Sequence, residues 1–507
     1  MRNIGEIALI NARYYPDKRA VVDSPKEFTW KEVNERSNRL ANALKGLGCK
    51  KGDRLAVLAY NASEYVEITF ACAKTGLVIV PLNFRLSIKE TECILQDSRP
   101  TTLLFGKEFI EITSHLRQNF PLNYICMGSK TDWALEYEEF IKTGLPSEPS
   151  GEDVSGDDPT EIFYTSGTTG LAKGVVHTHR SRLEGVLACV LLSSLDQDDV
   201  YLVNVPPLFA SIIISKLRGF DAREILATVQ EESVTIMQMV PITIMQIIDS
   251  PHLMKFDFSS LRLIFYATAP MPAGPLRKAI GIFGNIFMQP YGLTEAGPTV
   301  TCLMRKDHDI SHLSDEEADK RLRSCGRPCL GMLVKIVDKD GKDVPPNTVG
   351  EIIVKSTDIL DCYWNNREET EKAIKDGWLY TGDMATYDEE YYIYLVDRKK
   401  DMIISGGENI YPAEVERVLY EHPMVDQCAV IGVPDEQWGE SVKAFVVLRE
   451  GQEISEADII QFCKNLLASY KKPKSVEFLD ALPRNPQGKI LKRVLREKYW
   501  KDRERNI

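Results

Sequence analysis

An α/β fold class follows from three features of the chain. Strand-like and helical runs alternate over roughly the first 150 residues and resume after the segment ending at Val175; short β-runs take over after Gly326; and a charge run at Asp397–Asp401 precedes a compact α+β pattern. Trp30–Leu44 places apolar residues at helical spacing, Arg54–Ala59 reads as a short buried strand, Tyr65–Thr75 as a helix and Leu77–Leu82 as the next strand. This β-α-β order implies a parallel-rich sheet covered by helices. Val334–Val337 and Glu351–Lys355, with turns at Lys339-Asp-Gly-Lys and Pro345-Pro-Asn, read as a small antiparallel, barrel-like section. A chain of 507 residues is too long for one core, so a large multi-lobed N-terminal domain and a smaller C-terminal one are expected.

Bulk composition excludes several classes. A formal charge of −12 argues against a nucleic-acid binder, although local loops of a negative protein can still hold an anion. Eleven cysteines, an odd number without paired CxxC spacing, argue against a zinc site or a disulfide framework and for reduced thiols in the cytoplasm. The N-terminal residues contain no apolar h-region, and the most apolar stretch, Gly185–Leu192, is too short to span a bilayer.

The segment Tyr164–Val175, YTSGTTGLAKGV, carries the chemistry. Its hydroxyls (Thr165, Ser166, Thr168, Thr169) and glycines (Gly167, Gly170, Gly174) can bring donors and backbone close to phosphate oxygens, and Lys173 adds a point charge. The loop reads as a triphosphate cradle. It is not a Walker A loop, because Lys173 is followed by Gly174 and not by Ser or Thr. A plain surface turn would not need this density of donors.

This loop resembles the signature phosphate loop of the adenylate-forming superfamily: acyl-CoA synthetases, peptide-synthetase adenylation domains and luciferases. Further segments downstream resemble that family's motifs, in its order, and the wording is closest to the fatty acyl-CoA synthetases. The resemblance implies a reaction in which a carboxylate and ATP give an acyl-adenylate and pyrophosphate, and the thiol of coenzyme A then gives a thioester and AMP. It also implies roles. In Tyr291-Gly-Leu-Thr-Glu295, Tyr291 would offer a flat face to adenine, Thr294 would touch the α-phosphate and Glu295 would hold Mg²⁺. Tyr266-Ala267-Thr268-Ala269-Pro270 would line the adenine and acyl pocket. Asp383, in Tyr380-Thr-Gly-Asp, would take the ribose hydroxyls. Asp397–Asp401 would be the interdomain hinge, with Arg398 reaching ribose or phosphate and Lys400 as the pivot. Ser405, Gly406 and Gly407 would lie along the pantetheine arm, the glycines leaving it room. Lys489, in Pro483-Arg-Asn-Pro-Gln-Gly-Lys, would bridge carboxylate and phosphate. On this reading residues 1–396 bind ATP and the acid, 397–401 are the hinge and 402–507 form a mobile C-terminal domain.

The chain departs from the family after Asn204-Val-Pro-Pro-Leu-Phe209, where a His and a helix forming one wall of the acyl pocket are expected and Ser211-Ile-Ile-Ile214 follows at once, looking like the strand beyond that helix. Two readings stay open. The deletion is real and removes part of the pocket, or a segment is left out between Phe209 and Ala210, which then lack a normal peptide bond of roughly 1.3 Å; the close match on both flanks favours the second. The expected function is an ATP-dependent acid–CoA ligase for a medium- or long-chain fatty acid. The alternatives are an aromatic or alicyclic acid, or a non-catalytic nucleotide-binding homologue if the deletion is real. Pocket depth would depend on side chains around Pro241, Tyr266 and Gly292. No transmembrane segment or nucleic-acid partner is expected; the oligomeric state is open, a homodimer included.

Overall fold

The computed structural model describes residues 3–151, 153–165, 172–203, 213–214, 221–269, 271–484 and 490–501. By internal contacts the chain divides into two compact units, Met1–Val334 with Val354–Leu379, and Lys335–Ile353 with Tyr380–Ile507.

The first unit holds two large sheets. In one, the strand order is Cys362–Tyr363, Lys173–Thr178, Pro159–Thr165, Val78–Pro81, Arg54–Leu58, Thr102–Gly106, Asn123–Met127, Leu135–Glu136. The strands from Pro159–Thr165 onward pair parallel, and the Lys173 and Cys362 strands close that edge antiparallel. Helices cover both faces, which is why Leu55, Val57 and Leu104 pack into one apolar cluster while Ala56, Leu58 and Leu103 pack into another. The expected helix runs Trp30–Gly46; its start is fixed by a capping box between Thr29 and Glu32, and Val33, Leu40 and Leu44 form its buried face. Glu161–Tyr164 lies in a strand as expected, although only Ile162 of that run is buried.

The second large sheet takes the strands Arg327–Pro328, Gly297–Leu303, Phe287–Leu293, Leu263–Tyr266, Ile236–Met239, Tyr201–Val203, Ile213–Ile214, Arg19–Asp23 and Lys26–Thr29 in that order. Ile213–Ile214 pairs parallel with Tyr201–Val203 and with Arg19–Asp23, so the strand expected around Ser211–Ile214 is present. The connection between the two neighbours is residues 204–212, shorter than the dozen or so residues of a helical crossover. Those residues, and with them the Phe209–Ala210 link, lie outside the described residues.

The second unit begins with the barrel-like section. The strands Leu333–Val337, Gly350–Lys355 and Trp378–Tyr387 are neighbours in a curled half-barrel sheet, and Ile393–Arg398 pairs antiparallel with Trp378–Tyr387. The turn at Lys339–Lys342 is closed by Gly341 at φ 78°, and that at Pro345–Asn347 by Asn347 at φ 62°. A five-stranded sheet follows, centred on the long hairpin Val425–Asp435 and Gly439–Leu448, with Pro412–Tyr420 and Glu456–Leu466 packed on one face. Pro412 stands at the first position of its helix, as read from sequence. No helix among the described residues is long and apolar enough to cross a membrane.

Candidate active site

In the first unit the chemistry gathers at the mouth of a hairpin. Thr165 and Lys173 face each other in register at its loop end. The residues between them that were expected to cradle phosphate, Ser166, Gly167, Thr168, Thr169 and Gly170, lie outside the described residues. Lys173 pairs with Glu369 of the helix Arg367–Ala373, and its Nζ stands 5.2 Å from the centroid of the Tyr363 ring. Gly174 meets a packing demand. A Cβ there would come within 2.7 Å of Ile162 Cγ2 and 3.1 Å of Trp364 Cβ, so the glycine permits close packing against the neighbouring strands.

Tyr363 is locked to the lysine strand itself. It lies opposite Val175 in an antiparallel bridge, Trp364 N donates to Gly174 O (2.7 Å), and Tyr363 N donates to Thr370 Oγ1 (2.9 Å). Its hydroxyl donates to Glu295 Oε1 at 3.1 Å. Burial, and then the carboxylates of Glu295 and Glu369, push the Tyr363 phenol far above its ordinary range, so it remains a donor. Glu295 Oε2 has no partner among the described residues.

The first residues of the Tyr291–Glu295 motif belong to a strand. The strand Phe287–Leu293 runs through Tyr291, which faces Thr301, and Thr294–Ala296 form a single 3₁₀ turn into the antiparallel strand Gly297–Leu303. The pairing partner 10 residues on is what extends the strand across Pro290 and Gly292. The Thr294 carbonyl is held by His177 Nε2 at 2.7 Å. A carbonyl only accepts, so this imidazole carries its proton on Nε2, and burial lowers its pKa to about 4, which keeps it neutral. His177, Tyr363 and Glu369 were not singled out from sequence. The aromatic-polar run Tyr363–Glu369 carries no spacing signal that would tie it to a lysine some 190 positions earlier; the strand pairing does that.

Ala267, Thr268 and Ala269 form the turn after the strand Leu263–Tyr266, with Thr268 at φ 75° and both Thr268 and Ala269 exposed; Pro270 lies outside the described residues. Tyr266, expected beside the acyl pocket, is instead fully buried in the core. Its hydroxyl donates to His308 Nε2 (2.8 Å), while His308 Nδ1 donates to the Met304 carbonyl (2.9 Å). A strand end sealed by a buried histidine turns the ring inward.

In the second unit, Asp383 and Arg398 lie opposite each other on paired strands and join through a 2.6 Å ion pair, the carboxylate almost fully buried. Gly382, at φ 72°, donates its N–H to Glu351 Oε1, whose other oxygen takes Lys399 Nζ at 2.7 Å. Asp397 accepts from Ala413 N (2.8 Å), and Asp401 pairs with Arg496. Lys400 is exposed on the 3₁₀ turn Lys399–Asp401. Ser405 ends the strand Ile403–Ser405 and pairs with Glu408 and Gly439. Gly406 (φ 61°) does not leave the open space expected of it: a Cβ there would meet the Trp438 ring at 2.7 Å, whereas Gly407 (φ 87°) has nothing within 4 Å. Arg484 and Ile490 form a bridge flanking residues 485–489, and Lys489 lies outside the described residues.

Two helix-covered, parallel-rich sheets, a hairpin with a lysine at its mouth and a Thr-Glu turn held beside it define a nucleotide-handling α/β enzyme. The chain belongs to the AMP-binding enzyme family: residues 10–364 match the model of the AMP-binding enzymes and residues 414–489 that of their C-terminal domain. It is an enzyme of the AMP-forming acid–thiol ligase family. It is 35% identical to the fatty acid–[acyl-carrier-protein] ligase ScoC of Streptomyces coeruleorubidus, covering 100% of this chain and 98% of that one. It is 37% identical to a feruloyl-CoA synthase of Amycolatopsis sp, covering 98% and 100%. The structure of ATP-bound MatB from Rhodopseudomonas palustris superposes with a TM-score of 0.85 at 28% identity, covering 99% of each chain. The alignment with ScoC spans 523 positions against 507 residues here, so that relative holds residues this chain lacks.

Proposed function

We propose that this chain is an acid–CoA ligase whose acid is a medium- or long-chain fatty acid. A carboxylate oxygen attacks the α-phosphorus of ATP and pyrophosphate leaves; the thiol sulfur of coenzyme A then attacks the acyl carbon and AMP leaves. The observation that carries the reading is the fixed pair at the hairpin mouth: one cation, Lys173, and one carboxylate, Glu295, held by the same tyrosine beside the phosphate-loop motif. Two anions have to meet in the first step, so preorganised positive charge is the main requirement.

In this reading Thr165, Ser166, Gly167, Thr168, Thr169, Gly170 and Lys173 take the phosphates, Thr294 the α-phosphate, and Asp383 with Arg398 the ribose side. The turn Ala267–Pro270 and Tyr291 flank the adenine. Lys489 neutralises the meeting carboxylate and phosphate; residues 402–507 turn about Lys400; Ser405 and Gly407 face the thiol's arm, with Gly406 closed by Trp438. Glu295 fits Mg²⁺: its Oε2, without a partner among the described residues, supplies a hard carboxylate oxygen of the kind such an ion takes alongside substrate phosphates. Bound there, the ion would neutralise phosphate charge as a Lewis acid. Eleven cysteines without paired spacing support a cytoplasmic setting for it. An aromatic acid is the second reading, favoured by the similarity to a feruloyl-CoA synthase at equal coverage.

Carboxylate-dependent ATP–pyrophosphate exchange over fatty, aryl and amino acids tests this. Exchange with fatty acids, at least about a hundredfold weaker in Lys489→Ala, is expected; exchange with aryl acids alone would select the second reading, and exchange unaffected by Lys489→Ala would refute the lysine's role.

A further inference from the structure

Lys173 and Glu295 carry opposite charges and flank one tyrosine. Left to themselves, such charges attract: at contact distance and a protein-like dielectric the interaction is about 4 kcal/mol. A direct pair would remove the cation from any phosphate and the carboxylate from any metal ion. A single side chain engages both groups. The Tyr363 ring takes the ammonium on its face, 5.2 Å from the centroid, and the hydroxyl of the same ring donates to Glu295 Oε1 at 3.1 Å. Lys173 is given a separate counter-charge, Glu369, which in turn is shared with Lys372 at 3.1 Å. Among the described residues Lys173 has no other partner.

The backbone is built to hold this arrangement. Tyr363 is bridged to the strand that starts at Lys173, and Leu360 N donates to the Glu295 carbonyl at 2.7 Å. Asn366 caps the helix that carries Glu369, accepting from Glu369 N at 3.1 Å. One ten-residue segment, Leu360–Glu369, therefore fixes both charges. The lysine's long stem would otherwise lose up to about 2 kcal/mol of rotamer entropy when a phosphate orders it.

We propose that Tyr363 is a positioning residue of the nucleotide site, a spacer that keeps Lys173 and Glu295 apart on the ring and the hydroxyl of one side chain, with Glu369 as the resting counter-charge that holds Lys173 in place. This rests on the reading that the site binds ATP. It predicts that the two ends of the tyrosine separate experimentally. The hydroxyl governs Glu295 and hence the metal-dependent part of nucleotide binding; Glu369 governs Lys173 and hence the metal-free part.

Isothermal titration of the full chain with ATP, in EDTA and then in excess Mg²⁺, tests it. Tyr363→Phe keeps the ring, so its metal-free affinity is expected within about twofold of wild type, while the gain on adding Mg²⁺ shrinks by about threefold or more. Glu369→Gln is expected to weaken metal-free binding by about threefold or more and to leave the Mg²⁺ gain unchanged. Both positions are partly exposed, and a thermal melt of each variant confirms the fold. Equal losses in the two conditions for Tyr363→Phe, or no change in either, would overturn the spacer role. Metal-free affinity unchanged or improved in Glu369→Gln would overturn the counter-charge role. Wild-type protein that binds no ATP would overturn the nucleotide reading itself, a result distinct from either.

Discussion

Asp358 is a carboxyl in an unexpected place. It is 2% exposed, neither oxygen has a hydrogen-bond partner among the described residues, and it is wedged against Gly297, just beyond the Thr294–Glu295 turn, and Gly185, where a Cβ would sit 2.8 Å from Oδ2. Burial raises its pKa to about 7, with Arg182 pulling the other way. The sign of the consequence follows from proton counting. Between the ordinary carboxylate value and about 7 the folded chain keeps a proton that the unfolded chain has released, so stability falls as pH rises through that window and the full penalty is present above it. Asp358→Asn should therefore stabilise the protein, by on the order of 2 kcal/mol more near pH 8 than near pH 5. Urea unfolding of both proteins at the two pH values measures this; a gain that is equal at both would mean the carboxyl is not held protonated. His177 shows the opposite economy, its buried neutral ring donating one hydrogen bond to the Thr294 carbonyl and so fixing a turn that sequence alone presents only as five letters.

At the scale of elements, the local signals were legible. The apolar spacing of Trp30–Leu44 reads as a helix, Arg54–Ala59 reads as a buried strand, and Gly341 and Asn347 close turns visible as polar clusters. What could not be read is what long-range pairing decides. The strand Phe287–Leu293 continues through a proline and a glycine because Gly297–Leu303 lies beside it; Gly174 owes its place to Ile162 and Trp364; Tyr266 is drawn into the core by His308; Tyr363 meets Lys173 only through a bridge between distant strands. The return of the chain beyond Gly297–Leu303 rests on another such contact. Gly326 has φ 77°, and a methyl there would run into the Cys302 carbonyl and Leu303 N of the neighbouring strand. Backbone cannot yield as a flexible side chain can, so Gly326→Ala should cost at least about 3 kcal/mol, seen as a lower denaturation midpoint or loss of soluble protein. Gly281→Ala, on a helix with open space around it, should cost nothing by comparison.

At the scale of the whole molecule, the charge run Asp397–Asp401 gains a structural meaning beyond a solvated turn. Its bases hold the half-barrel, Arg398 on Asp383 and Lys399 on Glu351, while its acids hold the elements that follow, Asp397 on Ala413 N and Asp401 on Arg496. Lys400, between them, is exposed. A segment whose alternate charges grip different partners suits the pivot proposed for it. Family membership covers the chain almost from end to end, whereas the motif residues do not specify the acid. The central claim is that carboxylate activation and thioester formation occur on this one chain. The most direct test is to incubate it with ATP, Mg²⁺, coenzyme A and a fatty acid and to quantify thioester and AMP by mass spectrometry. The account predicts acyl-CoA and AMP in equal amounts, both dependent on the acid; AMP released without thioester, or no turnover of ATP with any fatty or aryl acid, would contradict it.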